Sequence, residues 1–482
     1  MKLIGTKPAA AAELRRNSLG MTDLVFQGIT HIAPATNMLF AFPVIALKAG
    51  PDMPLALFLA MIICYFIGNT VSQFSRYMPS SGGYYSFATR GLGSRAGFMA
   101  AWSFLIYEIM GPAGCSGFLG YFLSDTLATQ FGIHIAWWPI ALLSFSLIWI
   151  LTFYGVKLSA RATAVLGGIE VVVMLALCIT FLLHPASGSS YSAPLNPEMA
   201  PHHLVGILAA MVFSILALAG FEGIAPMAQE ARHSAQFVSK AIMLSLTAIG
   251  VFYIFTAYAT AIGWGTGKMA AFASDPNPYF TLGHAFWGTA SWLVVMAVIN
   301  SCIGVGLACT NSVSRVMFTM GRAGSLPASF GKVHPVHQTP AFAIAVTQIV
   351  GIIAALLVGF FLHPDQIFGV LETITALAII VIYAMANLAL TAYIRREHPE
   401  RFSVWQHGVL PALATLALIP VLFVTVYPAP DWPVSLTPYL YGIGMIVGFI
   451  YMMWREWRSP GTLNRSAAML VQSGAASADS LD

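Results

Sequence analysis

Long apolar stretches alternate with short polar segments along nearly the whole chain of 482 residues. Each stretch approaches or exceeds the roughly 20 residues that an α-helix needs to cross the hydrocarbon core of a bilayer. The stretches lack the roughly ten-residue alternation of transmembrane β-strands, so the pattern predicts an all-α integral membrane protein with about 12 transmembrane helices. The predicted spans cover 22–48, 53–77, 96–124, 136–156, 163–184, 204–229, 238–264, 287–313, 341–362, 368–394, 408–427 and 437–454.

Two of these spans are interrupted by glycine and proline in a similar local pattern. "GITHIAPATN" (28–37) lies in the first span and "GFEGIAPMAQ" (220–229) in the sixth. Proline lacks the backbone donor and glycine is a poor helix former, so both stretches are predicted helix breaks. Two alternatives are a chance recurrence of Ile-Ala-Pro and a simple proline kink, which membrane helices tolerate.

The spacing of the two breaks predicts how the chain is organised. Five spans lie from the first broken helix, itself included, up to the second, and because five is odd, the second copy enters the membrane from the opposite side. This predicts a 5+5 inverted repeat with helices 1 and 6 broken, followed by two C-terminal helices. The predicted segments are a cytoplasmic N-terminal tail (1–20), a first repeat (21–184), a second repeat (204–395), the last two helices (407–457) and a disordered cytoplasmic tail (458–482).

Composition and charge support a membrane location and predict its orientation. The chain is 58% hydrophobic and only 8% charged, whereas soluble proteins carry roughly a quarter charged residues. Lysine and arginine, Arg315 among them, are concentrated in the connections that follow the even-numbered spans. The connections on the opposite side of the membrane have only Lys48 and Lys268. The positive-inside rule then places both termini in the cytoplasm of a multi-pass inner-membrane protein. The net charge of +4 reflects this topology, and no nucleic-acid partner is expected.

Ionisable residues at bilayer depth are costly and therefore informative. Glu222 is the most notable, because it lies between Gly220 and Gly223 at the second break. A carboxylate beside unwound backbone can bind a substrate amine or take and release a proton. Alternatively, it only holds the break in shape by accepting hydrogen bonds from free amides. The other deep candidates are His31, Glu108, Glu170 and Glu372.

The first break offers complementary helix ends. A half-helix that begins near Ala35 points its amides and positive dipole end at an anionic group, and one that ends near His31 offers free carbonyls to a cation. All five cysteines lie inside predicted spans without CxxC or Cys/His spacing, so they are interpreted as packing residues. Neither a disulfide, a metal site nor a cofactor is expected.

Three segments together resemble the amino acid–polyamine–organocation (APC) superfamily. "GFEGIAPMAQEAR" (220–232) is similar to its sixth-helix motif, "RYMPSSGGYYSFATRGLGSRAGF" (76–98) to its loop after helix two, and "SRVMFTMGRAGSLPASFGKVHPVHQTP" (314–340) to its loop after helix eight. The resemblance implies a LeuT-type fold, with substrate held between helices one and six and framed by helices three, eight and ten.

The chain also departs from that family at the expected site. Many amino-acid members of the family carry a Gly-Ser-Gly-like run at the first break. This chain has residues 31–36 there instead, which puts binding of a substrate carboxylate in doubt. The aromatic gate of helix six falls on Leu216, with Phe213 the nearest aromatic residue. Glu170 occupies the place of a coupling lysine; alternatively it pairs with Arg161 or Lys157 near the cytoplasmic face. The predicted substrate-binding residues are Thr30, His31, Ile32, Ala33, Ala35, Thr36, Asn37, Glu108, Leu216, Gly220, Phe221, Glu222, Gly223 and Ile224.

These observations predict a secondary active transporter that takes up an amino acid, with proton coupling through Glu222, Glu170 and Glu108. Polyamine or small-amine uptake is the main alternative, because Glu108 in the pocket favours an amine; alternatively Glu108 hydrogen-bonds tyrosine or threonine between helices. Sodium coupling and exchange remain open, and Glu372 is interpreted as a packing residue. No enzyme motif is present, and the short loops disfavour a channel or receptor. The expected partners are a small substrate, a coupling ion and lipid; the oligomeric state is undetermined.

Overall fold

The computed structural model describes residues 14–427 and 430–478, without the side chains of residues 234 and 471–478. The predicted tails 1–20 and 458–482 therefore lie partly outside the described residues. Regular structure in the described ranges is helical, apart from one bridge between Leu19 and Ala231. The first helices are α1 (Met21–His31), α2 (Pro34–Ala49), α3 (Met53–Tyr77), α4 (Tyr84–Leu92), α5 (Ser94–Phe131), α6 (Trp137–Phe153), α7 (Val156–Leu183), α8 (His203–Ala217) and α9 (Ser234–Trp264). They are followed by α10 (Met269–Ser274), α11 (Pro278–Trp287), α12 (Trp292–Arg322), α13 (Ala341–Phe361), α14 (Gln366–Glu397), α15 (Leu410–Val426), α16 (Thr437–Arg458) and α17 (Thr462–Ala478).

The length and hydropathy of the helices confirm a multi-pass membrane architecture. Nine helical stretches among the described residues are long and apolar enough to cross a membrane. One of them, Met21–Tyr77, includes α1, α2 and α3, and α6 is apolar but shorter than the other candidates. The all-helical prediction is therefore confirmed, whereas the count of about twelve stays a prediction.

The outer surface of the helices is apolar. Leu183, Phe361 and Trp457 are 70%, 79% and 80% exposed. Soluble monomers rarely expose large apolar side chains over wide areas. This surface is suited to contact with lipid acyl chains.

Both predicted helix breaks are present. α1 ends at His31 and α2 begins at Pro34, and Ala33 between them has a left-handed backbone with φ of 55°. The sixth span leaves the α-helix after Ala217, turns at Gly220 with φ of 128°, and continues as a 3₁₀ segment over Phe221–Met227. The second break thus begins before Pro226, because the glycine turn, rather than the proline, ends the α-helix.

Several connections expected to be loops contain helices. α4 lies between the second and third predicted spans, and α10 and α11 precede α12. The prediction of a disordered tail is wrong for Thr462–Ala478, which forms α17. Leu463, Ser466 and Leu470 recur at helical spacing on α17 and are buried against the protein. This apolar face stabilises the helix through packing that composition alone does not reveal.

The broken helices lie at the centre of the helical assembly. α1 contacts α7, α9, α12 and the 3₁₀ segment, and α12 also contacts that segment. α5 packs between α14 and α12, which complete the wall around the two breaks. The two stretches whose backbone is not α-helical are therefore surrounded by the protein interior.

Candidate functional site

The two breaks lie against each other. A Cβ atom on Gly220 would lie 2.9 Å from the backbone nitrogen of Ile32 and 3.0 Å from the carbonyl carbon of His31. A Cβ atom on Gly223 would lie 2.0 Å from Nδ1 of His31. Only glycine permits this approach of the two chains. The structure therefore brings the predicted residues of the first and second breaks into one place.

Glu222 lies inside the second break and is completely buried. Its Oε2 accepts hydrogen bonds from the backbone N–H of Gly220, at 3.0 Å, and from the hydroxyl of Tyr383, at 2.7 Å. Its Oε1 has no hydrogen-bond partner among the described residues. The carboxylate thus supports the turn with one oxygen and leaves the other available to a ligand.

Glu170 reaches the first break from α7. Its Oε2 lies 3.4 Å from the backbone nitrogen of Ala35, which donates to it, and its Oε1 is unpartnered in the described chain. Glu170 is buried, and the described structure places Arg161 and Lys157 on the exposed surface. The alternative of a pair with either cation is therefore wrong, because Glu170 faces the protein interior.

The N-terminal amides of α2 are already engaged. Ala35 donates to Glu170, and the amide of Thr36 donates to Oγ of Ser301 at 3.2 Å. These are the groups expected to receive an anion at a helix N-terminus. In this conformation a carboxylate of the protein itself, that of Glu170, holds that position.

His31 joins the first break to α5 and α12. Its Nε2 lies 3.3 Å from Oε2 of Glu108 and 3.2 Å from Sγ of Cys309. Ser312 donates to Oε1 of Glu108 at 2.6 Å, and the imidazole stacks on Tyr107 with ring centroids 6.0 Å apart. Glu108 therefore hydrogen-bonds a serine, where the interhelical alternative expected a tyrosine or threonine.

The remaining predicted residues have structural partners around the breaks. The side chain of Asn37 donates to the carbonyl of Ile32 and, at 3.1 Å, to that of Ala217, so it links the two broken spans. Thr30 donates within its own helix to Phe26, at 2.6 Å. The other members Ala33, Phe221 and Ile224 are buried, and Leu216 is partly buried.

Glu372 lies outside this group of contacts. Cys115 approaches its Oε1 at 3.7 Å, and a Cβ atom on Gly114 would lie 3.0 Å from the same oxygen. The side chain is therefore packed between α14 and α5. This location fits the packing interpretation and puts Glu372 beside α5.

Two further contacts lie on the elements that carry the breaks. Phe40 in α2 contacts Phe368 and Phe118, with ring centroids 4.1 and 4.4 Å apart. Arg315 forms a buried ion pair with Glu230, Nε to Oε2 at 2.8 Å. The charge pattern groups Arg315 with the cations of the turns, but it is completely buried in α12.

Sequence reasoning missed the partners that complete the site. Tyr383 on Glu222, Ser301 on Thr36, and Ser312 and Cys309 beside Glu108 and His31 are polar residues within apolar spans. Their polarity at bilayer depth was a usable signal. Their helical phase could not be assigned without knowing which face of each helix pointed inward.

Comparison with known proteins gives the family. The profile of the family described as "Amino acid permease" matches residues 23–463. The chain belongs to the amino acid permease family. The match covers both breaks and the whole site, and it confirms the resemblance to the APC superfamily.

Individual relatives of this permease align with most of its chain. It is 26% identical to the branched-chain amino acid permease BcaP of Bacillus subtilis (strain 168), over 90% of this chain and 93% of the relative. It is 25% identical to the L-asparagine permease of Escherichia coli (strain K12), over 83% of this chain and 82% of the relative. It is 24% identical to the low-affinity putrescine importer PlaP of the same strain, over 74% of this chain and 77% of the relative.

The family and these relatives are transporters, which confirms transport, rather than an enzymatic reaction, as the class of function. A small-molecule substrate and a membrane environment follow from the family. The relatives named here include both amino acid permeases and a polyamine importer, so the substrate is a separate question.

Proposed function

We propose that this permease takes up an amino acid by proton-coupled alternating access, with the substrate bound where the two helix breaks meet. The contact of Gly220 and Gly223 with the first break carries the proposal. It joins unwound backbone from two spans at a buried point that also holds ionisable side chains. Transporters with inverted repeats use such discontinuous helices to bind substrate near the bilayer midplane.

Glu222 is the proposed partner of the substrate amine. One of its oxygens is held by Tyr383 and Gly220, and the other has no partner in the described chain. A charge-assisted hydrogen bond from an ammonium group to that oxygen satisfies both charged groups. Leu216, Phe221 and Ile224 would then contact the apolar part of the substrate, and Thr30, Ile32, Ala33, Thr36 and Asn37 would shape the first break around it.

Glu170 is the proposed coupling residue. Its carboxylate accepts from the Ala35 amide at the N-terminus of α2, where the helix dipole favours negative charge. Protonation removes that charge and weakens the contact, which frees the Ala35 amide for the substrate carboxylate. Proton binding at Glu170 and carboxylate binding at α2 are thereby linked. Glu108 and Glu222 are the further candidates for proton binding.

A polyamine or small amine is the second candidate substrate. Glu108 and Glu222 are both completely buried. Oε1 of Glu222 has no hydrogen-bond partner in the described chain, and Oε2 of Glu108 has only the 3.3 Å contact with Nε2 of His31. Two such carboxylates fit a ligand with two amines, and the occupied amides of α2 leave less opportunity for a carboxylate. The putrescine importer among the relatives makes this candidate concrete.

We also propose the twelve-span topology, with an inverted 5+5 repeat and both termini cytoplasmic in the inner membrane. The packing supports it. In the proposed repeat, α5, α6 and α7 of the first half correspond to α12, α13 and α14 of the second half. α5 contacts α6 and α14, and α12 makes the corresponding contacts with α13 and α7. Related contacts in the two halves are what a structural repeat produces. The distribution of lysine and arginine supports the orientation.

Uptake by purified protein in proteoliposomes tests the proposal. Radiolabelled branched-chain amino acids, asparagine and putrescine are offered in parallel, with a pH gradient, a sodium gradient or neither. Amino acid uptake that requires the pH gradient is expected. Uptake that ignores pH but requires sodium refutes proton coupling, and uptake of putrescine alone refutes the amino acid assignment.

Two variants assign the residues. Glu222→Gln is expected to abolish uptake, and Glu170→Gln to retain substrate binding but lose the response to pH. Glu198→Gln is the matched control, because Glu198 is an exposed carboxylate outside both breaks. Undiminished coupled uptake by Glu222→Gln contradicts the proposed site.

A further inference from the structure

His31, Glu108 and Cys309 form a cluster of three different metal-ligating side chains, here called the His–Glu–Cys cluster. Their potential ligand atoms all lie within 4.8 Å of one another. They come from three separate helices, α1, α5 and α12. The sequence spacing gave no indication of such a group, because the residues are far apart in the chain.

We infer that the His–Glu–Cys cluster binds a thiophilic divalent cation, of which Zn²⁺ is the physiological representative and Cd²⁺ a suitable probe. An imidazole, a carboxylate and a thiolate are all ligands of zinc in proteins. The thiolate and imidazole select against Mg²⁺ and Ca²⁺, which prefer oxygen ligands. Binding forms a metal–sulfur bond and releases the thiol proton of Cys309 to solvent.

The distances are close to those of a metal centre. With ordinary zinc bond lengths, tetrahedral geometry separates a nitrogen and an oxygen ligand by about 3.3 Å and a nitrogen and a sulfur ligand by about 3.6 Å. The structure has 3.3 Å between His31 Nε2 and Glu108 Oε2, and 3.2 Å between His31 Nε2 and Cys309 Sγ. The first of these distances matches a zinc site, and the second requires an outward movement of the thiol.

The surroundings support a ligand at this position. Glu108 and Cys309 are 0% and 3% exposed, and His31 is 4% exposed. Oε2 of Glu108, which faces the cluster, has the 3.3 Å contact with Nε2 of His31 and no regular hydrogen bond among the described residues. Its other oxygen accepts from Ser312 at 2.6 Å, which fixes the orientation of the carboxylate. Such support of a ligand by an outer hydrogen bond is typical of protein metal sites.

A metal at the cluster would also stop transport. It would tie the broken first span, through His31, to α5 and α12, through Glu108 and Cys309. Alternating access requires the broken helices to move relative to their surroundings. This inhibitory effect rests on the proposed function: the bound ion would cross-link the three helices, and it would occupy the Glu108 carboxylate in competition with an amine substrate.

Cadmium binding to the purified full-length protein tests this inference without any need for transport. Titration with Cd²⁺ is expected to give one tight site, together with the ultraviolet charge-transfer absorption of a cadmium–thiolate bond. Cys309→Ser is expected to lose that absorption and to bind at least about 10-fold more weakly, the usual scale for a disturbed metal site. Cys178→Ser, which replaces a buried cysteine of α7, is the matched control and is expected to bind as the wild type does.

A second variant keeps the test valid if Cys309→Ser does not fold. Glu108→Gln retains the thiol but removes the anionic ligand, so it is expected to keep the absorption at higher metal concentrations only. Absence of the cadmium–thiolate absorption in the wild type, or its persistence in Cys309→Ser, overturns the inference. In proteoliposomes with an active substrate, Cd²⁺ is expected to inhibit the wild type and Cys178→Ser, and to spare Cys309→Ser.

Discussion

The buried pair of Arg315 and Glu230 is expected to hold one end of the site closed, and Glu230→Gln tests this directly. Two hydrogen bonds join the side chains, from Nε to Oε2 at 2.8 Å and from Nη2 to Oε1 at 3.3 Å. Nη1 of Arg315 also donates to the carbonyl of Asn311 at 3.0 Å. The arginine therefore keeps some acceptors in the variant, but it loses its counter-charge.

The magnitude follows from burial. Arg315 and Glu230 side chains are 0% and 1% exposed. Removing one partner of such a pair costs about 3–5 kcal/mol, because the remaining charge is left uncompensated. If the pair separates and becomes hydrated when this end opens, the cost falls on the closed conformation alone. A shift of about 3 kcal/mol changes the ratio of closed to open molecules by roughly 100-fold.

The alkylation rate of Cys309 is the assay. Cys309 is buried in α12 six residues before Arg315, so we expect opening of this end to expose its thiol. We expect Glu230→Gln to react up to about 100-fold faster than the wild type, with the modified residue identified by mass spectrometry. The double variant Glu230→Gln, Arg315→Met is expected to recover much of the lost stability, because it removes both charges.

Glu397→Gln is the matched control. Glu397 pairs with Arg90, but the two side chains are 26% and 15% exposed, and water screens partly exposed pairs so that they contribute about 1 kcal/mol or less. Its Cys309 reactivity is expected to equal that of the wild type. Equal reactivity of Glu230→Gln and Glu397→Gln would refute the idea that the buried pair closes the site.

Three further changes have clear expected outcomes. Gly223→Ala is expected to abolish uptake or lower the melting temperature, because its Cβ would lie 2.0 Å from His31, whereas Gly168→Ala, with open space around it, is tolerated in both assays. Tyr383→Phe removes a hydrogen bond to Glu222. Because a hydrogen bond to a charged group contributes about 1.5–3 kcal/mol, the Kd of the substrate in a binding assay is expected to rise at least about 10-fold. Truncation before α17 is expected to lower the melting temperature measured in detergent, because it removes a packed face that includes Leu463 and Leu470. An unchanged melting temperature would contradict the stabilising role of this helix.

The sequence alone determined the class of protein and the position of the two breaks. Apolar length is enough to predict membrane helices, because the bilayer thickness sets the number of residues required. Glycine and proline act on the backbone locally, so the breaks beside Pro34 and Gly220 could be predicted without any knowledge of neighbours. Buried carboxylates such as Glu222 were detectable for the same reason, since charge at bilayer depth is costly wherever the helix points.

Local reasoning was less successful at the edges of the spans. The amphipathic helix α17 was predicted to be disordered because its composition is polar and rich in small residues, and α4, α10 and α11 were not predicted. Short helices gain most of their stability from packing against the rest of the protein. The partner surface is therefore as important as the segment itself, and the segment's sequence does not describe it.

Only the tertiary structure decided which side chains meet. The sequence shows Arg315 as a positive charge near the end of a predicted span, yet its pairing with Glu230 depends on how α12 packs against the second break. His31, Glu108 and Cys309 lie on three helices, and their ligand atoms converge only because those helices cross at the first break. Helix periodicity assigns each residue to a face of its own helix, but the rotation and crossing of helices, set by packing across the whole interior, determine the chemistry that two faces create together.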